Sequence, residues 1–170
     1  METMQAVVKR EAGPGMTLGE REVPQPGPRD VLVRVQATSI CGTDVHIYNW
    51  DPWSQGRIRP PIIVGHEFAG EIVERGRAVR DDEPQIGDFV SAESHIVCGV
   101  CQQCRLGKGH VCQNTRIIGV DVDGCYAAYV AIPVDNAWKN PPDMPLPVAS
   151  LQENFGNAVH TVASADVRGI

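Results

Sequence analysis

The segment Cys41-Gly42-Thr43-Asp44-Val45-His46 and, about two dozen residues later, Gly65-His66-Glu67 together carry a thiolate, two imidazoles, two carboxylates and a hydroxyl. This is the inventory of a metal site with a proton relay beside it. A catalytic zinc takes three or so protein ligands and keeps one position open for water or substrate. Cys41 offers a soft anionic ligand and His66 a neutral nitrogen, both expected at strand ends. Asp44 is suited to accept the other ring N–H of His66 and so orient it. The Thr43 hydroxyl, two residues from the ligand, can touch an oxygen on the metal and pass its proton on. Histidine is the side chain that titrates near neutrality, which suits His46 to carry that proton toward solvent.

A second set follows the spacing C-x2-C-x2-C-x7-C: Cys98, Cys101, Cys104 and Cys112. Four thiolates close together in a reducing compartment favour one tetrahedral metal ion with no open position, hence a structural one. Binding of such an ion contributes about 10–16 kcal/mol in small zinc peptides, comparable with the whole stability of a domain, about 5–15 kcal/mol. An iron–sulfur cluster is the competing reading, since bacterial ferredoxins begin with the same two steps; their next gap is shorter and a proline follows, whereas Gln113 follows Cys112. Blander readings stand beside these. Cys125 reads as a small buried hydrophobe, and Cys41 alone would read the same way without its neighbours. His110 reads as a surface residue within the cysteine lobe. His95, just before the lobe, faces a pocket or merely packs, and spacing does not decide between them.

The elements that must hold these groups are mostly strands. Val31, Val33, Val35 and Ala37 alternate with Arg34, Gln36 and Thr38, a half-buried strand leading to Cys41. Residues 4–9, 68–75, 86–92 and 124–134 read as further strands, the last with Tyr126, Ala128 and Val130 on one face. Residues 22–29, with three prolines, read as an extended connector. Residues 48–61 read as a surface loop whose Trp50 and Trp53 line the pocket or pack on the body. Prolines 141, 142, 145 and 147 mark a boundary. Beyond them Val148, Leu151, Phe155, Val159 and Val162 recur at helical spacing. On that helix Glu153 falls with Asn157 and His160, nearly opposite the apolar stripe, a face that is usually solvated.

With 170 residues the chain has room for one ordinary domain and the start of another, and 17 Gly with 13 Pro favour turns and strands. The N-terminus lacks the apolar run of a signal sequence, and no stretch is long enough to cross a bilayer, so a cytoplasmic protein is expected. A net charge of −6 without a basic run argues against nucleic acid, leaving a small molecule as the expected partner. No G-x-G-x-x-G follows a strand, so no dinucleotide site is expected in these residues.

Cys41-Gly42-Thr43-Asp44-x-His46-Ile47-Tyr48, Gly65-His66-Glu67, the lobe Cys98 to Cys112 and Phe155-Gly156-Asn157-Ala158-Val159-His160 together resemble the zinc-dependent medium-chain dehydrogenases, in particular those acting on threonine, over essentially the whole chain. Gly-His-Glu alone is shared with polyol and alcohol dehydrogenases. The resemblance implies a mainly β fold with short helices: a GroES-like β-barrel catalytic domain over residues 1–145 with a cysteine-rich zinc lobe, then a helical connector over 146–170 toward a Rossmann domain absent from this chain. It implies a catalytic zinc held by Cys41, His66 and Glu67, with Glu153 a nearby carboxylate that exchanges with water. Thr43 and His46 would form the relay, His95 would line the substrate pocket, and Cys98, Cys101, Cys104 and Cys112 would hold a structural zinc. NAD is the implied cofactor, bound outside this chain, and a homotetramer is implied for the full-length protein. The implied reaction oxidises the secondary alcohol of threonine to 2-amino-3-oxobutanoate: zinc lowers the alcohol pKa, the relay removes the proton and hydride leaves for the nicotinamide. A polyol (sorbitol-type) dehydrogenase and a truncated, non-catalytic zinc-binding module are the alternatives. Two departures stand out. The chain ends at Ile170, before any nucleotide-binding domain, and Asn154 follows Glu153 where the family usually has proline, which alters the helix start and the carboxylate's reach.

Overall fold

Alternating side chains build the centre of the molecule, which the computed structural model describes over residues 2–165. The element order is β1 (Thr3–Lys9), β2 (Thr17–Glu22), β3 (Asp30–Thr38), α1 (Gly42–Asn49), α2 (Pro52–Arg57), β4 (Ile62–Ile63), β5 (Phe68–Arg75), β6 (Phe89–Ala92) and β7 (His95–Ile96). After these come α3 (Gln102–Arg105), β8 (Arg116–Ile117), β9 (Tyr129–Pro133), β10 (Ala137–Lys139), α4 (Leu146–Ala149) and α5 (Gln152–Ser164). Strands β10-β6-β5-β3-β9 form one antiparallel sheet. Val31 and Val33 from β3 pack there with Phe68, Ile72, Val90, Val130 and Ile132, each such burial being worth about 1.5–3 kcal/mol. A second sheet, β2-β1-β4, buries Met4, Ala6 and Val8 from alternate positions of β1. Strands β7 and β8 form a separate ribbon at the base of the cysteine lobe.

The fold is therefore mainly β with short helices. Among the described residues, however, the ladders make three sheets, and none closes into the expected barrel. Of the segment expected as one strand over 124–134, only Tyr129–Pro133 forms a regular ladder, while Ala127 makes an isolated bridge to Ala6 of β1. Ahead of it, the N–H groups of Gly124, Cys125 and Tyr126 bond the carbonyls of Ile63, Gly65 and Val64 at 2.8, 2.9 and 2.9 Å. This wrap closes around the turn at Gly65, whose φ is +88. A Cβ there would sit 2.3 Å from the Tyr126 ring, so only glycine fits.

Other boundaries also differ from expectation. The strand expected from residue 86 starts at Phe89, because Gly87 (φ +88) and Asp88, which accepts the Gln85 N–H at 2.9 Å, form a turn. The mostly polar β2 was not signalled by hydrophobic pattern and exists by pairing along β1. Residues 42–49 are helical, and the stretch expected as a plain loop contains α2, whose N-cap Asp51 accepts the Ser54 N–H at 3.0 Å. The connector expected over 146–170 begins as α4 and α5, and its residues 166–170 lie outside the described region. Among the described residues no helix is long and apolar enough to cross a membrane.

Candidate metal centre and catalytic cleft

Cys41 is the N-cap of α1 rather than the end of a strand. The side chain of Asp44, three residues on, accepts the Cys41 N–H at 3.0 Å, so the Cys-Gly-Thr-Asp motif is itself a helix-start device. Its sulfur thus lies at the positive end of the helix dipole, a setting that suits an anionic ligand. His66 and Glu67 come from the turn between β4 and β5, just past Gly65. One ligand atom each from Cys41, His66 and Glu67 lie within 4.8 Å of one another. His66 and Glu67 are buried, Glu67 at 1 % exposure.

His66 Nε2 is 4.0 Å from Glu67 Oε1, while its Nδ1 faces Asp44 Oδ1 at 3.9 Å. That second gap is too long for a hydrogen bond, and both atoms are buried without a partner. Asp44 Oδ2, by contrast, accepts the Tyr126 hydroxyl at 2.8 Å as well as the Cys41 N–H. Burial first, then the bond to Asp44, raises the Tyr126 phenol's pKa, so it stays protonated and donates. Thr43 Oγ1 lies 3.6 Å from Cys41 Sγ and lines the cleft. His46 stands on the outer side of α1, 60 % exposed, with Nδ1 2.6 Å from Asp51 Oδ2 and its ring beside Trp53.

The cleft, about 350 Å³, is lined by Cys41, Thr43, Trp53, His66, Ser94, His95 and Glu153, among others. Trp53 therefore lines it, one of the two placements open from sequence. Glu153 corrects the helical-wheel reading: it is 7 % exposed, while Val148, Leu151, Phe155, Val159 and Val162 are all exposed. Only the first turn of α5 is covered, and residues 154–165 are exposed on both faces, so it is Glu153 alone that turns inward. Glu153 Oε1 accepts from Ser94 Oγ at 2.7 Å and from Asn157 Nδ2 at 3.0 Å, and Asn154 Nδ2 donates to Glu67 Oε1 at 2.5 Å.

His95 faces the cleft and is held by Glu93, whose Oε1 lies 2.6 Å from its Nδ1 and accepts its backbone N–H at 2.9 Å. That contact raises the imidazole's pKa against the opposing effect of burial. Glu93, His95 and Glu153 form a second group with ligand atoms within 4.8 Å. Pattern reasoning missed Ser39, Asp51, Glu93, Ser94 and Tyr126. Only Glu93 left a signal, as a carboxylate two residues before a histidine, the spacing that shares a face in extended chain.

In the lobe, sulfur–sulfur distances are 3.5 Å for Cys101–Cys104 and Cys98–Cys112 and 3.9 Å for Cys101–Cys112. A disulfide needs about 2.05 Å, whereas ligands at about 2.3 Å from a tetrahedral zinc stand roughly 3.8 Å apart. The N–H groups of Cys101 and Asn114 point at Cys98 and Cys112 Sγ at 3.4 and 3.3 Å. The Val100 N–H foremost, then the Asn114 side chain and the Cys101 N–H, lower the Cys98 thiol to about 6. His110 is exposed and sits beside His160 of α5, ring centres 4.7 Å apart and planes tilted by 51°. Cys125 is fully buried, and burial raises its thiol pKa.

A mainly antiparallel body with sulfur, imidazole and carboxylate donors at one cleft and a four-cysteine lobe beside it defines a class. The alcohol dehydrogenase GroES-like domain matches residues 27–142, and the chain belongs to that family. More narrowly, it is 57% identical over 166 residues to the L-threonine 3-dehydrogenase of Symbiobacterium thermophilum, covering 98% of this chain and 47% of that one. Identity to the L-threonine 3-dehydrogenase of Thermococcus kodakarensis is 55% over 168 residues, covering 99% and 47%. A cobalt- and zinc-bound thermostable alcohol dehydrogenase from Pyrobaculum aerophilum superposes with a TM-score of 0.76 at 31% identity, covering 89% of this chain and 45% of that one. The chain spans about half the length of the relatives it matches.

Proposed function

We propose that this chain is the zinc-binding catalytic domain of a zinc- and NAD-dependent dehydrogenase that oxidises L-threonine to 2-amino-3-oxobutanoate, with residues 1–145 as that domain and 146–170 as a helical connector. The observation that carries this reading is the convergence of Cys41, His66 and Glu67 donor atoms within 4.8 Å beside a cleft. The donor set fits zinc: one thiolate, one imidazole and one carboxylate leave a position open. The unpartnered His66 Nδ1 facing the unpartnered Asp44 Oδ1 at 3.9 Å is where the hydrogen bond that orients a metal-bound imidazole would form.

When bound, the ion supplies Lewis-acid activation of the substrate alcohol. Cys41, His66 and Glu67 hold it, and Glu153 stands by as an exchangeable carboxylate. Thr43, beside Cys41, takes the hydrogen bond of the substrate hydroxyl, and His46 with Asp51 delivers its proton to solvent. His95, in the same cleft lining, contacts substrate with its orientation set by Glu93. Trp53 excludes water. Cys98, Cys101, Cys104 and Cys112 hold a structural zinc that shapes the lobe.

Metal analysis of the complete protein, together with NADH formation from L-threonine, tests this reading. Two zinc ions per chain and loss of turnover in Cys41→Ser are expected. Preference for sorbitol over threonine would move the substrate to a polyol. One ion per chain, with turnover intact in Cys41→Ser, would sink the catalytic assignment.

A further inference from the structure

Glu67 presents an energetic problem that the rest of the site does not solve. Its carboxylate is almost wholly buried, and among the described residues no lysine or arginine pairs with it. Such a group is costly unless it is well hydrogen-bonded or holds a cation. Two side chains donate to it: Ser39 Oγ to Oε2, and Asn154 Nδ2 to Oε1 at 2.5 Å. Oε1 is also the oxygen 4.0 Å from His66 Nε2, so it faces the other candidate ligands. An amide N–H occupies one lone pair of that oxygen and leaves the second free for an ion. Asn154 sits in the first turn of α5, immediately after Glu153, whose own carboxylate is held by Ser94 and Asn157. A single helical turn thereby brings Glu153 into the cleft lining and places an amide on Glu67.

The geometry points to Asn154 as the positioning residue for Glu67: its amide, delivered by α5, holds that carboxylate in place as a metal ligand. This rests on Cys41, His66 and Glu67 forming a metal site. A merely structural role makes the opposite forecast, because alanine is a better helix former than asparagine. Replacement would then leave metal binding alone and, if anything, firm the helix.

Cobalt(II) binding to the metal-free complete protein, followed by equilibrium dialysis against a competing chelator, separates the two. Asn154→Ala is expected to weaken the Cys41 site about 10–100-fold. The four-cysteine site is expected to keep its affinity and so report that the variant is folded. Asn154→Gln, which retains the amide, is expected to recover part of the loss. Unchanged affinity within about twofold, or tighter binding, in Asn154→Ala overturns the positioning role. If wild-type protein and Cys41→Ser give the same isotherm, the metal reading itself falls and this inference with it. The two failures are thus told apart.

Discussion

The two donor clusters solve the same problem in opposite ways. The four cysteines lie within fifteen residues, in a lobe whose large apolar side chains Val97, Val100, Leu106 and Val111 are exposed. Beyond short helical turns over residues 101–112, the sulfurs and the N–H groups aimed at them are what ties that loop together. Cys41, His66 and Glu67 instead come from a helix start and a distant turn, and they are backed by core residues such as Ile47, Ile58, Val64 and Phe68. On the function proposed above, one cluster would depend on its ion for its shape, while the other has its shape built by the fold. That contrast is what would separate a closed structural site from an open reactive one.

The largest test of the contrast is metal removal. Chelation is expected to abolish amide protection over residues 98–112 while the β3–β5 ladder stays protected, as read by hydrogen exchange. The loss corresponds to about 10–16 kcal/mol of ion binding in zinc peptides. Equal loss in both regions would erase the distinction. Next in size, Cys41→Ser is expected to remove one ion per chain and cut turnover on the order of 10³-fold, the worth of several kcal/mol of transition-state stabilisation. Its lobe should keep its exchange protection.

A smaller effect sharpens the idea that the fold builds the reactive cluster. Tyr126→Phe removes the hydroxyl 2.8 Å from Asp44 Oδ2, and urea unfolding should register a loss of about 1–3 kcal/mol for the buried carboxylate left short of a donor. The smallest concerns pH. Glu93 raises the His95 pKa above its ordinary 6.5, so this contact's stabilisation is complete below pH 6.5 and lost as pH rises through the raised folded value. Glu93→Gln should flatten that dependence, by less than about 1 kcal/mol because the pair is partly solvated. Imidazole proton NMR should follow His95 back toward its ordinary titration.

The gradient of legibility follows the same division. Spacing alone grouped Cys98, Cys101, Cys104 and Cys112, because ligands so near in sequence cannot be far apart in space. Period-two alternation found β3 and β5, since a strand's faces are written in its own residues. The pairing of Cys41 with His66 needed the recognised motif as well. Three features stayed out of reach of local pattern: the helix beginning at Cys41, an unusual N-cap held by Asp44 three residues on; the wrap of residues 124–126 around Gly65; and the inward turn of Glu153, which only the resemblance implied. The last two depend on partners distant in sequence.

By itself, then, the sequence determined the mainly β body, the cysteine lobe and the types of donor available for chemistry, because these follow from local spacing and side-chain chemistry. Only the tertiary structure decided which carboxylates reach the cleft. The first turn of α5 meets the body through polar side chains, which carries Glu153 inward onto Ser94 and sets Asn154 on Glu67, while the rest of the helix, Phe155 included at 63 % exposure, stays uncovered. A helix's own pattern reports its amphipathicity, but the surface it meets decides which residues are buried.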